Sequence, residues 1–238
     1  MKTSPELDYL CSELSTQMPN WIEIQQRYEK LPEKYLTTPR LLQQYAQDFS
    51  EIHLDIILEK ASENNKDYNL KLLPHYLRSA PLIQHGSKLF HLQNNRLILK
   101  TVQYRTWEYD QIAIVNDIPT VFEIKLRDWD KGKTRKRKQR DGSYTIEKST
   151  CLQNNLRPEM YNRKLQPVRD FFRQDVGYVI IISNDQYTHK TNVGADPIVS
   201  DFMSNNGKLV PFYTDRITFR TYVREKAVEF GYKIKEEK

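Results

Sequence analysis

The sequence has few of the residues and patterns that mark several protein classes. Only two of its 238 residues are cysteines, Cys11 and Cys151. They are too few for a disulfide framework or a cysteine zinc site, and they favour a reducing, cytoplasmic environment. No apolar run approaches the roughly 18 residues that a membrane-spanning helix needs, so no membrane partner is expected. The first 25 residues contain four acidic residues and no basic start leading into an apolar stretch, so no secretory signal is expected.

Sequence motifs for several cofactors are also missing. The chain has neither GxGxxG nor GxxxxGK[ST], which disfavours a dinucleotide enzyme and an ATP-driven motor. Its five histidines are scattered and show no metal-ligand spacing, so zinc chemistry has no support.

Positive charge is present in excess and is unevenly distributed. The formal net charge is +6, but residues 125–173 alone hold 15 Lys or Arg and 6 Asp or Glu. Such asymmetry suggests a polyanionic partner, with a solvated basic loop as the alternative.

The hydrophobic periodicity predicts a mixed α/β sheet with helices. Residues 1–39 are predicted to form a helical extension with breaks at Pro19, Pro32 and Pro39, and residues 40–238 the main domain. The run 177–183 is apolar and β-branched, as in a strand buried on both faces. The remaining predictions are a helix from Arg40 to about 64–65, strand pairs 88–91 with 96–101 and 109–115 with 120–126, a basic loop over 127–148, helices interrupted at Pro158 and Pro167, and a last helix near 216–230.

The second strand pair brings acidic residues into register. If its turn is centred between Asn116 and Asp117, Asp110 pairs with Glu123 in a non-hydrogen-bonded position, with Cβ atoms roughly 4.5–5.5 Å apart. Strand alternation puts Lys125 on the face of Glu123, and Glu108 on the face of Asp110. A slip of one residue would separate the two carboxylates.

These residue types suit metal-assisted phosphodiester hydrolysis. Carboxylate oxygens bind Mg²⁺, and the backbone carbonyl of Ile124 is a plausible further ligand. The metal neutralises phosphate charge and acidifies a bound water. The Lys125 ammonium is suited to orienting that water or stabilising the developing charge. A surface ion pair is the alternative interpretation of such a pattern.

Glu108-Tyr109-Asp110, followed after twelve residues by Glu123-Ile124-Lys125, resembles the motif of the PD-(D/E)xK nuclease superfamily, with Tyr109 where proline is common. The resemblance implies a restriction-endonuclease-like αβββαβ core within residues 40–190. It implies metal binding by Asp110 and Glu123, a catalytic role for Lys125, and Mg²⁺ as cofactor with Mn²⁺ as a substitute. It favours DNA over RNA as substrate. A homodimer would supply the two sites that a double-strand cut usually needs, although no coiled-coil heptad supports one.

Members of that superfamily often add polar groups from flanking helices. One of Glu51, Asp55 and Glu59 would be the added carboxylate, and Gln166, or Gln153, the polar residue of the later helix. A solvated helix face is the alternative for each of them.

Basic residues downstream of the motif are predicted to hold the phosphate backbone in a salt-dependent way. For the run 131–140, a surface loop or a nuclear localisation segment is the alternative. The predicted contacts are Lys131, Lys133, Arg135, Lys136, Arg137, Lys138 and Arg140, followed by Arg157, Arg163 and Lys164.

Two other functions remain open from the sequence. One is an enzyme of the same fold that cuts RNA or branched DNA. The other is a non-catalytic nucleic-acid-binding module, in which the acidic residues and Lys125 form a structural ion-pair network.

Overall fold

The computed structural model describes residues 1–17, 20–29, 41–64, 69–73, 84–85, 88–93, 96–100, 106–125, 134–138, 144–148, 152–183, 196–212 and 225. Its helices are α1 (Pro5–Thr16), α2 (Trp21–Glu29), α3 (Leu41–Asn64), α4 (Leu152–Asn155), α5 (Pro158–Phe172) and α6 (Pro197–Ser204). Its strands are β1 (Lys71–Leu72), β2 (Gln84–His85), β3 (Lys88–Gln93), β4 (Arg96–Lys100), β5 (Thr106–Tyr109), β6 (Gln111–Val115), β7 (Ile118–Ile124), β8 (Thr134–Lys138), β9 (Tyr144–Lys148), β10 (Gly177–Ser183) and β11 (Gly207–Phe212).

A five-stranded mixed sheet in the order β1-β6-β7-β10-β11 forms the centre of the described fold. Strands β1, β6 and β7 are antiparallel neighbours, whereas β10 runs parallel to both β7 and β11. The parallel step from β7 to β10 needs a crossover, and α5 lies between these strands in the sequence. The prediction of a mixed α/β sheet is confirmed.

The hairpin of β6 and β7 has the predicted register. Asn116 and Asp117 have φ values of 48° and 65°. A two-residue turn with both central residues at positive φ matches the twist of the strands that it joins. Pairing then runs from Val115 opposite Ile118 at the turn down to Gln111 opposite Phe122.

Apolar side chains form a core on each face of the central sheet. Strand β10 contributes to both cores. Val179 and Ile181 pack with α1 and α3 on one face of the sheet, the α3 face. Ile180 and Ile182 pack with α5 and α6 on the other, the α5 face. This two-sided burial explains the uninterrupted apolar run at 177–183, whose prediction as a buried strand is confirmed. Helix α3 likewise has the predicted extent.

The first helix is part of the core on the α3 face. Leu7, Leu10 and Leu14 are almost fully buried in the same cluster as the sheet residues, and Asp8 forms an ion pair with Lys208 on β11. The described part of the predicted extension therefore packs as an integral layer of the main fold.

Three local expectations were wrong. The run predicted as one strand over 109–115 bends at Asp110, because β5 pairs with β4 in a second sheet of order β2-β3-β4-β5. The predicted basic loop contains an antiparallel hairpin of β8 and β9, whose residues Tyr144 to Ile146 favour strands. Pro167 lies inside α5 without ending it, on its buried face. The predicted last helix near 216–230 lies outside the described residues, apart from Glu225.

Burial of His53 on α3 should make stability depend on pH. Its ring lies 4.6 Å from that of Phe212 between centroids, and burial, helped by the charge of Lys60, lowers its pKa from 6.5 to about 3. The unfolded chain therefore binds one more proton between these values. The resulting stability is complete above pH 6.5 and is lost as the pH falls, by up to about 1.4 kcal/mol per pH unit.

Urea denaturation at pH 7, 6 and 5 measures this effect. We expect His53→Leu to weaken the pH dependence between pH 6.5 and 5, where most carboxylates have finished titrating. An unchanged slope in the variant would contradict burial of a neutral imidazole.

Candidate active site

Asp110, Glu123 and Lys125 meet on one face of the central sheet. Asp110 forms the bend that precedes β6, Glu123 is the penultimate residue of β7, and Lys125 directly follows that strand. The Lys125 ammonium Nζ lies 2.6 Å from Glu123 Oε2 and 3.7 Å from Asp110 Oδ2. The structure thus brings together the three side chains that the hairpin register had aligned. We call these three residues, with Lys164 described below, the charged cluster.

Asp110 replaces a missing backbone partner at the end of the hairpin. The chain leaves the central sheet at Asp110, and the carboxylate Oδ2 accepts a 2.7 Å hydrogen bond from the Ile124 backbone N–H. In an antiparallel ladder, the N–H and the carbonyl of one residue point to the same neighbour. The Ile124 carbonyl therefore lies on the same side of β7 as Asp110, as its predicted role in metal binding requires.

Helix α5 contributes a fourth member of the cluster, Lys164. Its ammonium forms an ion pair with Glu123 Oε1 and lies 5.5 Å from the centroid of the Tyr109 ring. The Tyr109 hydroxyl donates a 3.1 Å hydrogen bond to the Lys164 backbone carbonyl. The same tyrosine therefore fixes the main chain of Lys164 and lies beneath its charge.

Gln166 is not the residue of α5 that reaches the carboxylates. It is exposed, and its amide donates a 2.7 Å hydrogen bond to Asp170 on the same helix. The buried face of α5 is marked by Tyr161, Leu165 and Val168. Lys164 borders that face, whereas position 166 points away from it. The sequence analysis predicted Lys164 as a nucleic-acid contact and did not use the helical spacing of these buried residues, which places Lys164 toward the sheet.

The pKa values of the two carboxylates are shifted in opposite directions. The Glu123 side chain is 0% exposed and that of Asp110 is 8% exposed. Burial favours a higher pKa for Glu123, but Lys125 and Lys164 outweigh it and hold that pKa below its ordinary value. Burial and then the negative charge of Glu123 raise the pKa of Asp110, which the lysines and the Ile124 N–H only partly offset.

The donor set of the cluster fits a hard divalent cation. Within the described ranges, no group of three or more His, Cys, Asp or Glu side chains is arranged to hold a metal ion. Two carboxylates and one backbone carbonyl are nevertheless sufficient protein ligands for Mg²⁺, which keeps several waters and takes phosphate oxygens. The Ile124 N–H and Lys125 already contact Asp110 Oδ2, and each Glu123 oxygen faces an ammonium group. A dication bound at Glu123 would therefore lie close to two ammonium groups.

The acidic stripe of α3 lies on the other face of the sheet. Phe122 and Ile124 pack in the core of the α3 face, so Glu123 between them points to the α5 face. Asp55 accepts a 2.5 Å hydrogen bond from the buried Gln111 amide, and Glu59 forms an ion pair with helix α2. The described contacts of these two residues therefore tie α3 to its neighbours, not to the cluster. Glu51 is partly buried on the same helix.

The other predicted site residues lie on β5, at α5, on β8 or outside the described residues. Glu108 is exposed on β5, opposite Ile98 in the second sheet, so the bend at Asp110 interrupts the alternation that placed it with Asp110. On α5, Arg163 is exposed, and exposed Arg157 precedes the first turn. The cations of the basic run divide between strand β8, which holds Arg135, Lys136, Arg137 and Lys138, and positions outside the described residues, which are Lys131, Lys133 and Arg140.

Among the described residues, no helix combines the length and apolar character that crossing a membrane requires. Comparison with protein-family models, curated proteins and solved structures found no match to this chain.

Proposed function

We propose that the protein is a Mg²⁺-dependent endonuclease of the restriction-endonuclease-like fold, hydrolysing phosphodiester bonds of DNA. The observation that carries the proposal is the charged cluster. Carboxylates at the adjoining ends of neighbouring strands lie within 4 Å of one lysine ammonium, that of Lys125. Charged groups are seldom buried in a sheet of apolar residues unless they are paired or serve a function.

The order of elements supports this fold. Helix α3 is followed by β1, β6 and β7 of the central sheet, then by α5 and β10. This is the αβββαβ order that the resemblance implies, with β2 to β5 inserted after β1, and β8, β9 and α4 inserted after β7. Glu123 and Lys125 lie at the end of the third strand, where the ExK motif is expected.

The cluster has groups for each task of phosphodiester hydrolysis. Asp110, Glu123 and the Ile124 carbonyl would hold Mg²⁺, which when bound neutralises charge on the phosphate and makes a water more acidic. The Lys125 side chain is 18% exposed, so its ammonium can donate hydrogen bonds to a water or to a phosphoryl oxygen. A water oxygen forms the new bond to phosphorus and gives up a proton to solvent, the bond to the leaving oxygen breaks, and that oxygen takes up a proton from solvent.

Basic residues at α5 and on the β8–β9 hairpin would bind the nucleic-acid backbone. Arg157 is exposed immediately before α5, and Arg163 is exposed in the first half of that helix, next to Lys164 in the sequence. The strands β8 and β9 form a two-stranded ribbon that includes four consecutive cations, Arg135 to Lys138. A two-stranded β-ribbon fits the major groove of B-form DNA, which favours duplex DNA over RNA as the substrate.

One observation favours a second function, that of a non-catalytic nucleic-acid-binding module. Both oxygens of the fully buried Glu123 are paired with ammonium groups. A structural ion-pair network would have the same appearance, since buried charges persist in proteins when they are paired.

Incubation of supercoiled plasmid with the purified protein separates the two functions. We expect nicked or linear DNA in Mg²⁺ or Mn²⁺, and intact plasmid in EDTA. If plasmid, branched DNA and RNA all stay intact while salt-sensitive binding is retained, the binding module is the correct function.

A further inference from the structure

Lys164 supplies a second ammonium group at Glu123, beside that of Lys125. Its ammonium contacts Glu123 Oε1, while the Lys125 ammonium contacts Glu123 Oε2. With two carboxylates and two ammonium groups, the cluster has no formal net charge. A dication entering such a neutral cluster meets two ammonium groups at close range, which Coulomb repulsion penalises strongly in a partly buried site.

Of the two lysines, Lys164 is the one placed to leave. Lys125 lies within 4 Å of both Asp110 and Glu123, whereas the described ion pairs of Lys164 include Glu123 alone. The Lys164 side chain is also the more exposed, at 24% against 18%. Its departure breaks one ion pair and moves the ammonium toward solvent beside α5.

We propose that Lys164 is an internal counter-cation that competes with the divalent metal for Glu123. The inference rests on the proposed function, because the metal is the one that Asp110 and Glu123 would hold there. Without metal, Lys164 keeps the buried Glu123 paired. With metal, Lys164 is displaced from Oε1, and its released ammonium is available to a phosphate oxygen of the substrate.

Binding of the metal alone tests the competition. In calorimetric titrations of the full chain with Mn²⁺, Lys164→Met should bind about tenfold more tightly than wild type, within the usual range of coupling between sites. Lys164→Arg keeps the positive charge and should bind Mn²⁺ with an affinity close to that of wild type. The rise in melting temperature caused by saturating Mn²⁺ should likewise be largest in Lys164→Met.

Two controls distinguish a change in Mn²⁺ affinity from a loss of the fold. In Lys164→Met, Glu123 keeps its ion pair with Lys125, and circular dichroism reports whether the fold is retained. Lys208→Met removes an ion-paired lysine of similar exposure on β11 and should leave Mn²⁺ affinity unchanged.

Two other results of the Mn²⁺ titrations would overturn the competition. If wild type binds Mn²⁺ and folded Lys164→Met binds it equally or more weakly, competition is overturned while the metal site stands. If neither protein binds Mn²⁺, both the proposed metal-dependent function and the competition are wrong.

Discussion

Replacing Lys125 with methionine should slow cleavage of plasmid DNA by roughly 10²–10³-fold, the usual loss when one donor that stabilises developing charge is removed. The ammonium lies within 4 Å of both proposed metal ligands, Asp110 and Glu123, and the side chain is partly exposed, so it can donate to a water or a phosphoryl oxygen at the metal. Methionine keeps the unbranched length of the side chain but has no hydrogen-bond donor. Single-turnover rates at saturating Mg²⁺ measure the loss, and binding of DNA should change little.

Lys208→Met is the matched control for this change. Lys208 is also a partly buried lysine in an ion pair, but its partner is Asp8 on α1. Because the Asp8 side chain is 55% exposed, loss of this pair costs about 0–1 kcal/mol, and cleavage should proceed at the wild-type rate. If Lys125→Met cleaves as fast as Lys208→Met, the charged cluster is structural and the proposed role of Lys125 is wrong.

Local rules were sufficient to predict the hairpin that positions the cluster. Asn116 and Asp117 are residues that tolerate left-handed backbone angles, and a two-residue turn fixes every later pair along the strands. Strand alternation then places Lys125 beside Glu123 without any knowledge of the rest of the fold. The buried strand β10 was predictable for a similar reason, because burial on both faces leaves an uninterrupted apolar run.

The contribution of α5 could not be derived in this way. Which residue of a helix meets a given strand depends on the rotation of the helix about its axis, and that rotation is set by packing against distant residues. The buried stripe of Tyr161, Leu165 and Val168 defines the inward face. Lys164 borders it, whereas Gln166 lies outside it, a distinction that the resemblance alone does not make.

The bend at Asp110 was missed because it depends on two sheets. Tyr109 and Gln111 both lie in strands, and no glycine or proline between them signals a break in the sequence. Only the pairing of β5 with β4, and of β6 with β7, forces the chain to change direction between them. The same bend explains why Glu108 lies in the second sheet.

The Glu123→Gln variant should lose about 3 kcal/mol of unfolding free energy. Removing one member of a buried ion pair typically costs 3–5 kcal/mol, because the partner is left uncompensated. Here the lower end is expected, since Lys125 and Lys164 are 18% and 24% exposed and can regain part of their hydration. Glutamine has nearly the same shape as glutamate, so packing changes little. Urea denaturation at pH 7 without divalent metal measures the loss.

Combining this change with Lys164→Met distinguishes lost charge pairing from altered packing. If the Glu123–Lys164 pair stabilises the fold, the double variant should lose less free energy than the sum of the single variants, with a coupling of about 1–3 kcal/mol. Additive losses would mean that the two side chains stabilise the protein independently. Lys164 would then be a bystander at Glu123, and the neutral cluster from which metal competition was inferred would not exist in solution.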